Sequence, residues 1–181
     1  MNDIESDHLG SGINFEARLP LAWKPAAEDI SDVMLSQINE QNEKYLRIIS
    51  VLNEYPAEQH DEHSSVDFKL GIMLDLLGEL LATHMMVPTK SNVRIGSLGM
   101  EWLSVGKNAP QKNDRILIDI YMHHQYPRPV VIPAEVRAVV TNDDGYRCVV
   151  KFFGLTDSVR ELLEKLIFTH HRRSIAHSRQ P

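Results

Sequence analysis

Between residues 86 and 92 the apolar residues of this chain change their spacing, and the change separates a long helical stretch from a β-rich one. From residue 31 to residue 86 they recur at every third or fourth position, whereas from 92 to 153 they broadly alternate with polar residues. The first spacing is typical of amphipathic helices and the second of strands. A length of 181 residues is typical of a single domain. The sequence therefore predicts an α+β fold with helices and strands in separate stretches of the chain.

The helical stretch predicts two helices joined by a polar connector. The first begins after Ser31, a suitable N-cap, and ends before Pro56, whereas the second runs from about residue 65 to Pro88. Apolar residues of the first helix follow each other in steps of three and four, as in a coiled-coil seam, with Asn42 at one apolar position. Those of the second helix cover more than the width of one seam. Two helices with such a connector favour an antiparallel hairpin.

We expect this hairpin to assemble copies of the chain into a dimer or a tetramer. A wide apolar stripe is covered either by another subunit or by the rest of the same domain. The strands and the last helix suffice for a core of their own, which favours another subunit. In such an interface Asn42 would fix the register, whereas at a frayed seam it would only face water. The residues expected at the interface are Leu35, Ile38, Asn42, Tyr45, Ile49, Leu52, Leu70, Met73, Leu74, Leu77 and Leu81.

Strands are predicted in the β-rich stretch and in one segment before the helices. The segments between them are rich in proline, asparagine, aspartate and glycine, and Asp144-Gly145 is typical of a tight hairpin turn. Short strands at regular spacing are typical of a sandwich or a barrel. A last helix is predicted from Thr156 to about His170. The predicted strands are residues 15–23, 92–103, 115–122, 130–140 and 146–153.

Composition and charge argue against several classes of protein. The formal net charge of -6 argues against a nucleic-acid-binding protein, which usually carries a basic surplus. Cys148 is the only cysteine, so an internal disulfide is not possible, and its expected role is that of a small buried strand residue. Residues 1–12 are polar and acidic, unlike a signal peptide, and no segment approaches the ~18 apolar residues of a membrane span. We expect a cytoplasmic protein.

No motif in the sequence predicts an enzyme or a metalloprotein. The sequence has no Walker loop, no Gly-x-Gly-x-x-Gly motif after a strand, no Gly-x-Ser-x-Gly elbow and no Cys-x-x-Cys pair. His60 and His63 flank two acidic residues, but they lie in the polar connector, where no rigid element fixes the geometry of a metal site. His123 and His124 are adjacent at the end of a predicted strand, so we expect them to point to opposite faces. We expect no catalytic residue, no metal and no cofactor.

Four segments, in this order, resemble the PilZ domain family, and in particular its atypical branch, which has a long helical insertion and forms tetramers. The resemblance implies a six-stranded antiparallel β-barrel with a long two-helix insertion after the first strand and a C-terminal helix. It also implies a role in bacterial cyclic di-GMP signalling. The four segments are RLPLAW at 18–23, DFKLGIMLDLL at 67–77, VRIGSLGMEW at 93–102 and LIFTHHRRSIA at 166–176.

The resemblance extends over nearly the whole chain and suggests its boundaries. A flexible N-terminus is expected at 1–14, the PilZ-like domain at 15–176 with its helical insertion at about 31–86, and a tail at 177–181.

The same resemblance implies where a nucleotide would bind. PilZ receptors usually hold cyclic di-GMP with an Arg-x-x-x-Arg segment and an Asp/Asn-x-Ser-x-x-Gly motif. Here Ala22 stands at the place of the second arginine after Arg18, Arg94 replaces Asp or Asn, Gly96 replaces serine, and Gly99 alone matches. The basic end of the last helix adds arginines, which bind phosphate bidentately. The nucleotide-binding residues implied are Arg18, Arg94, Gly96, Ser97, Gly99, Arg172 and Arg173.

These departures from the motifs favour a degenerate nucleotide site. We predict a non-enzymatic, oligomeric adaptor that acts through contacts with other signalling or motility proteins. The alternative is a genuine cyclic di-GMP receptor with a non-standard site built from arginines.

Overall fold

The computed structural model describes six strands and two helices of more than twenty residues each. It also describes four further residues in helical conformation. The description covers residues 9, 12–27, 30–54, 73, 76, 77, 80, 86–104, 109–123, 126, 128–142 and 145–178, with only the backbone for 52–54, 142 and 174–178. The elements are β1 (Phe15–Pro25), α1 (Asp32–Glu54), β2 (Lys90–Ile95), β3 (Gly99–Ser104), β4 (Arg115–Ile120), β5 (Val130–Asn142), β6 (Gly145–Phe152) and α2 (Asp157–Ser178).

The strands form a closed antiparallel barrel in the order β1-β2-β3-β6-β5-β4. The long strand β1 closes it, because its first half pairs with β2 and its second half with β4. Residues 96–98 form a turn between β2 and β3, so the predicted strand at 92–103 is in fact a hairpin. The predicted six-stranded antiparallel barrel, with a helix after its first strand and a helix at its C-terminal end, is confirmed.

Alternation along the strands places one set of side chains inside the barrel, where Trp102 and Ile118 are almost fully buried. The helix α2 adds Val159 and Leu163 to the same core. Cys148 is also buried, and burial raises the pKa of its thiol to about 11. The predicted role of Cys148 as a small buried strand residue is confirmed.

The helix α1 packs on its own chain, which corrects part of the predicted interface between subunits. Asn42, Tyr45 and Ile49 are at most 2% exposed, and the elements that α1 contacts are β5 and α2. Leu35 is half-buried, and its methyl groups lie against Gly154. The three-four spacing identified an apolar stripe correctly, but spacing does not specify which surface covers a stripe. For these residues the covering surface is the chain's own barrel and α2.

The remaining residues of the predicted interface fall into three groups. Ile38 is half-buried, whereas Met73 and Leu77 are more than half exposed. The side chain of Leu52 lies outside the described residues. So do Leu70, Leu74 and Leu81. The two-helix hairpin therefore stays a prediction, because only isolated residues of its second helix are described.

Two asparagine side chains of α1 satisfy backbone groups at one edge of the barrel. Asn42 Nδ2 donates to the carbonyl of Val131 at 2.7 Å, and its Oδ1 accepts from the N–H of Val131 at 3.0 Å. Asn39 Nδ2 donates to the carbonyl of Gly154 at 2.7 Å, and its Oδ1 accepts from the N–H of Thr156 at 3.1 Å. Because β6 ends at Phe152, this part of β5 has no strand partner on that side. Asn42 supplies hydrogen bonds to β5 that a longer β6 would make, whereas Asn39 binds the segment between β6 and α2.

Among the described residues, no helix is both long enough and apolar enough to cross a membrane.

Candidate functional site

Arg94 lies on the outer face of the barrel between two glutamates. Its register partner on β1 is Glu16, and its register partner on β3 is Glu101. Arg94 Nε is 3.4 Å from Glu16 Oε1, and Arg94 Nη1 is 3.7 Å from Glu101 Oε1. The arginine that stands in the expected nucleotide motif is therefore already paired with two carboxylates of its own chain.

Arg18 is on the same outer face and close to Arg94. Its register partner is Asn92, which lies two residues before Arg94 and so on the same side of β2. Arg18 and Arg94 are therefore diagonal neighbours, a relation that typically places Cα atoms about 7–8 Å apart. Arg18 is exposed to solvent. The fold thus brings together two arginines that are far apart in the sequence.

The three small residues of the predicted motif lie at the β2–β3 turn: Gly96 and Ser97 are in the turn, and Gly99 is the first residue of β3. The N–H of Gly96 donates to the carbonyl of Gly99 at 2.9 Å. The N–H of Phe152, the last residue of β6, donates to the carbonyl of Leu98 at 2.8 Å. Both ends of the turn are therefore tied to the barrel. Gly96 and Gly99 are buried, and Ser97 is half-buried.

The C-terminal end of α2 reaches the beginning of β1. The ring of His170 stacks on the ring of Phe15, with 4.7 Å between centroids. Phe15 pairs with the last residue of β2, so this end of α2 and the β2–β3 turn lie at the same end of the barrel. Arg173 is close enough to His170 to affect its pKa, whereas the guanidinium of Arg172 lies 5.8 Å from the ring centroid of Phe168 on its own helix.

His170 makes the contact between α2 and β1 sensitive to pH. Burial lowers the pKa of His170, and the positive charge of Arg173 and the proximity of His123 lower it further. The unfolded chain, in which histidine has its ordinary pKa of about 6.5, then binds more protons than the folded chain at mildly acidic pH. The contribution of this group to stability is therefore complete above about pH 6.5 and decreases as the pH falls below it.

We expect the variant His170→Phe to lose less stability than the wild type when the pH falls from about 7 to about 5. Phenylalanine keeps the stacking on Phe15 but cannot bind a proton. Denaturant unfolding at a series of pH values measures the difference in slope. Titration of the His170 ring by NMR is the direct control, and a midpoint at or above about 6.5 would contradict the expectation.

Exposed apolar side chains of the helical stretch form a second candidate site. They lie on the C-terminal half of α1 and on the described residues of the second predicted helix. On each of the two helices the exposed apolar residues are three or four positions apart, so they share one side of that helix. An exposed apolar helix side is a candidate interaction surface. We call this group the exposed helical face; its members are Ile48, Val51, Met73, Leu76, Leu77 and Leu80, which are 40–60% exposed.

Sequence reasoning did not identify Glu16, Glu101, His170 or Asn39 as important. Glu16 and Glu101 alternate with apolar residues on their strands, so their position on the outer face was predictable. That both face Arg94 depends on the pairing of three strands, which the alternation does not give. Asn39 lies three residues before Asn42, and this spacing on one helix face was an available signal.

No metal site is evident in the described residues. Among them no group of three or more histidine, cysteine, aspartate or glutamate side chains is placed to hold an ion. His123, which the sequence analysis considered, lies near His170, and His124 is outside the described residues.

Comparisons with known proteins agree with the fold and place the chain among PilZ domains. The family model described as "atypical PilZ domain, cyclic di-GMP receptor" matches residues 46–180, which is more than half of the chain. Among solved structures, the chain is similar to a pathogenic protein from Xanthomonas campestris, described as a new tetrameric PilZ domain that is self-assembled via an unusual helical bundle. The TM-score is 0.69 at 22% identity, and the match covers 94% of this chain and 92% of that one. No curated protein matches the sequence.

Proposed function

This chain belongs to the atypical PilZ domain family, and from that membership we propose that it is a non-enzymatic, oligomeric signalling adaptor in bacterial cyclic di-GMP pathways. Its own nucleotide site is degenerate, and it acts in the cytoplasm through contacts with other signalling or motility proteins. The observation that carries this proposal is the position of Arg94 between Glu16 and Glu101.

The pairing of Arg94 weakens the site for a ligand that carries two phosphates. A phosphate that approaches Arg94 has to compete with two carboxylates for the same guanidinium group, and both carboxylates repel it. Exposed ion pairs at such distances contribute about 0.2–1 kcal/mol each, and about 1.4 kcal/mol changes a dissociation constant tenfold. Competition from the two carboxylates therefore weakens phosphate binding by roughly two- to thirtyfold.

Two observations favour the alternative, a genuine receptor with a rebuilt site. Arg18 and Arg94 share one outer face as diagonal neighbours. The end of α2, which carries Arg172 and Arg173, lies at the same end of the barrel as the β2–β3 turn. A nucleotide bound across these elements would depend on Arg18 and Arg172, whose guanidinium groups have no salt bridge to a carboxylate of the described chain.

Titration calorimetry with cyclic di-GMP separates the two functions. At protein concentrations up to about 100 µM, we expect no saturable binding tighter than about 10 µM by the wild type. The double variant Glu16→Gln/Glu101→Gln frees Arg94 from both carboxylates, so we expect it to bind about tenfold more tightly.

The matched control is Glu135→Gln. Glu135 is also a strand glutamate on the outside of the barrel, and it pairs with Arg137 at 2.9 Å. This variant should bind as the wild type does. Tight binding by the wild type that is lost in Arg18→Ala or Arg172→Ala would establish the receptor and reject the adaptor with a degenerate site.

Self-assembly is the second part of the proposal, and the exposed helical face supports it. One side of α1 packs against the chain's own barrel, whereas Ile48 and Val51 on α1 are exposed. The similar protein from Xanthomonas campestris is described as self-assembled via a helical bundle. We propose that the exposed helical face of this chain makes a corresponding contact between copies.

A further inference from the structure

The strand β5 extends beyond the end of its pairing with β4. Residues 130–135 of β5 pair with β4, whereas β5 continues to Asn142 alongside β6. The next residue, Val136, still bonds the segment that precedes β4. Its N–H donates to the carbonyl of Asp114 at 2.9 Å, and its carbonyl accepts from the N–H of Asn113 at 2.8 Å. After Val136, no described strand lies beside β5 on this side.

A tight turn before β4 separates the preceding chain from β5. The N–H of Asp114 donates to the carbonyl of Gln111 at 3.1 Å, and the N–H of Gln111 donates to Asp114 Oδ2 at 2.7 Å. Asn113 has a φ of 74°, a left-handed conformation that asparagine tolerates. The register of β5 with β6 also shifts next to Val136, which is typical of a β-bulge. Between residues 109–112 and β5 there is a cleft of about 570 Å³.

The backbone groups of two β5 residues point to this open side. The N–H of Phe152 donates to the β2–β3 turn, so alternation along β6 also directs the backbone groups of Cys148 and Tyr146 to β3 and away from β5. The register partners of Cys148 and Tyr146 on β5 are Val139 and Thr141. The N–H and carbonyl groups of Val139 and Thr141 therefore point away from β6, and no described residue forms a hydrogen bond with them.

The cleft combines an apolar surface with basic side chains. Val139 and Tyr146 are half-buried and offer this surface to a bound side chain, whereas Lys112 and Arg137 are exposed. Among the described side chains that line the cleft, two are basic and none is acidic, in a chain whose formal net charge is -6. Glu135, which pairs with Arg137, is not among them. This local charge favours a ligand that carries carboxylates.

We propose that the open side of β5 binds an extended, acidic segment of a partner protein, which adds to the barrel as a further strand. Unpaired backbone groups at the edge of a sheet are a template for such a strand, and neighbouring side chains give it specificity. The carboxylates of the segment lie near Lys112 and Arg137, because the sequence places two aspartates directly after Asn142 at the other end of the edge. A second copy of this chain is less suitable, since its own basic residues would repel those of the first.

The proposal rests on the adaptor function and deepens it by naming the surface and the class of partner. Amide hydrogen exchange followed by NMR tests whether the edge is open. After correction for intrinsic rates, the amides of Val139 and Thr141 should exchange at least about tenfold faster than those of Val136 and Val140, which point to hydrogen-bond acceptors. Equal protection of all four amides would overturn the open edge.

A phage-displayed library of eight-residue peptides is the probe for the ligand. Selection on the wild-type chain should enrich peptides that combine acidic residues with alternating apolar residues. A selected peptide should bind Lys112→Glu at least about tenfold more weakly than the wild type. Lys90→Glu is the matched control, because it makes the same charge change at an exposed position of β2 and should leave the affinity unchanged. Enrichment of peptides without acidic residues, or no enrichment, would overturn the proposal.

Thr141→Pro tests the added strand itself. It removes an N–H that points to the open side, and it leaves the hydrogen bonds between β5 and β6 in place. The selected peptide should bind at least about tenfold more weakly to Thr141→Pro than to Thr141→Ala, which keeps the N–H. Equal binding to the two variants would exclude strand addition.

Methylation of alternate backbone nitrogens of the peptide tests the same hydrogen bonds without changing the protein. One of the two alternating sets should abolish binding and the other should preserve it, and equal effects of both sets would contradict a strand. Tight binding of cyclic di-GMP by the wild type would contradict the degenerate site of the adaptor. It would leave the exchange and peptide results as they are, so the two proposals fail separately.

Discussion

Replacing Asn42 with alanine should lower the free energy of unfolding by about 2–4 kcal/mol, the largest effect that we expect from a polar substitution in this protein. The amide of Asn42 is 2% exposed and makes one hydrogen bond to the N–H and one to the carbonyl of Val131. Alanine lacks both the amide donor and the amide acceptor, so the buried N–H and carbonyl of Val131 lose their hydrogen bonds. Each such group costs about 1–3 kcal/mol, and the better helix propensity of alanine returns less than about 0.7 kcal/mol.

Denaturant unfolding followed by circular dichroism measures this change, at one fixed protein concentration because the proposed assembly would also contribute to stability. The control is Gln41→Ala, which alters the neighbouring, exposed position of the same helix. It should change stability by less than about 0.5 kcal/mol. A loss of the same small size in Asn42→Ala would contradict the role that we assign to the amide.

Asn42→Asp distinguishes hydrogen bonding from packing, because it keeps the size of the side chain. The N–H of Val131 retains an acceptor, but its carbonyl then faces a carboxylate oxygen instead of an amide donor. We expect this variant to be less stable than the wild type at pH 7 and to recover part of the loss at low pH, where a protonated carboxyl can donate. An equal loss at both pH values would indicate that packing dominates.

Most of the strands were predictable because their determinants are local, whereas the spacing alone left a sandwich and a barrel open and the six-stranded barrel was implied by the resemblance to PilZ domains. Alternation of side chains marked the strands, and the glycine, asparagine and proline segments between them marked the turns. The helix α1 was predictable for the same reason, because Ser31 stands directly before it as an N-cap. The hydroxyl oxygen of Ser31 accepts a hydrogen bond from the N–H of Met34 at 3.3 Å.

The surface that covers α1 was not predictable from the sequence. Asn42 bonds a residue 89 positions away, and Asn39 bonds residues 115 and 117 positions away. A polar residue in an apolar stripe is compatible with a coiled-coil seam and with a backbone edge of the same domain, and only the tertiary structure decides between them. The candidate site was not predictable for the same reason, because the contact of Arg94 with Glu16 and Glu101 depends on the register of three strands.

Replacing Leu77 with aspartate should convert the assembled protein into a monomer. Leu77 is 53% exposed in the single chain and belongs to the exposed helical face. If this face is buried between copies, each leucine there contributes about 1.5–3 kcal/mol, and a carboxylate in its place has to be desolvated without a partner. The effect is multiplied in an assembly, because every copy contributes the same residue.

Light scattering coupled to size-exclusion chromatography measures this change at about 10 µM protein. The wild type should elute with a mass of two or four times 20.7 kDa, and Leu77→Asp with the mass of one chain. Val140→Asp is the control, because Val140 is 42% exposed on β5, outside the helical stretch. It should keep the mass of the wild type.

A second substitution on α1 tests whether both helices of the insertion take part. Val51 lies nine residues after Asn42, which is about two and a half helical turns and therefore the opposite side of α1. Val51→Asp should consequently dissociate the assembly while the hydrogen bonds of Asn42 keep the barrel stable. Dissociation by Leu77→Asp alone would limit the contact to the second helix. A wild-type mass of 20.7 kDa would show that the exposed helical face does not join copies of this chain.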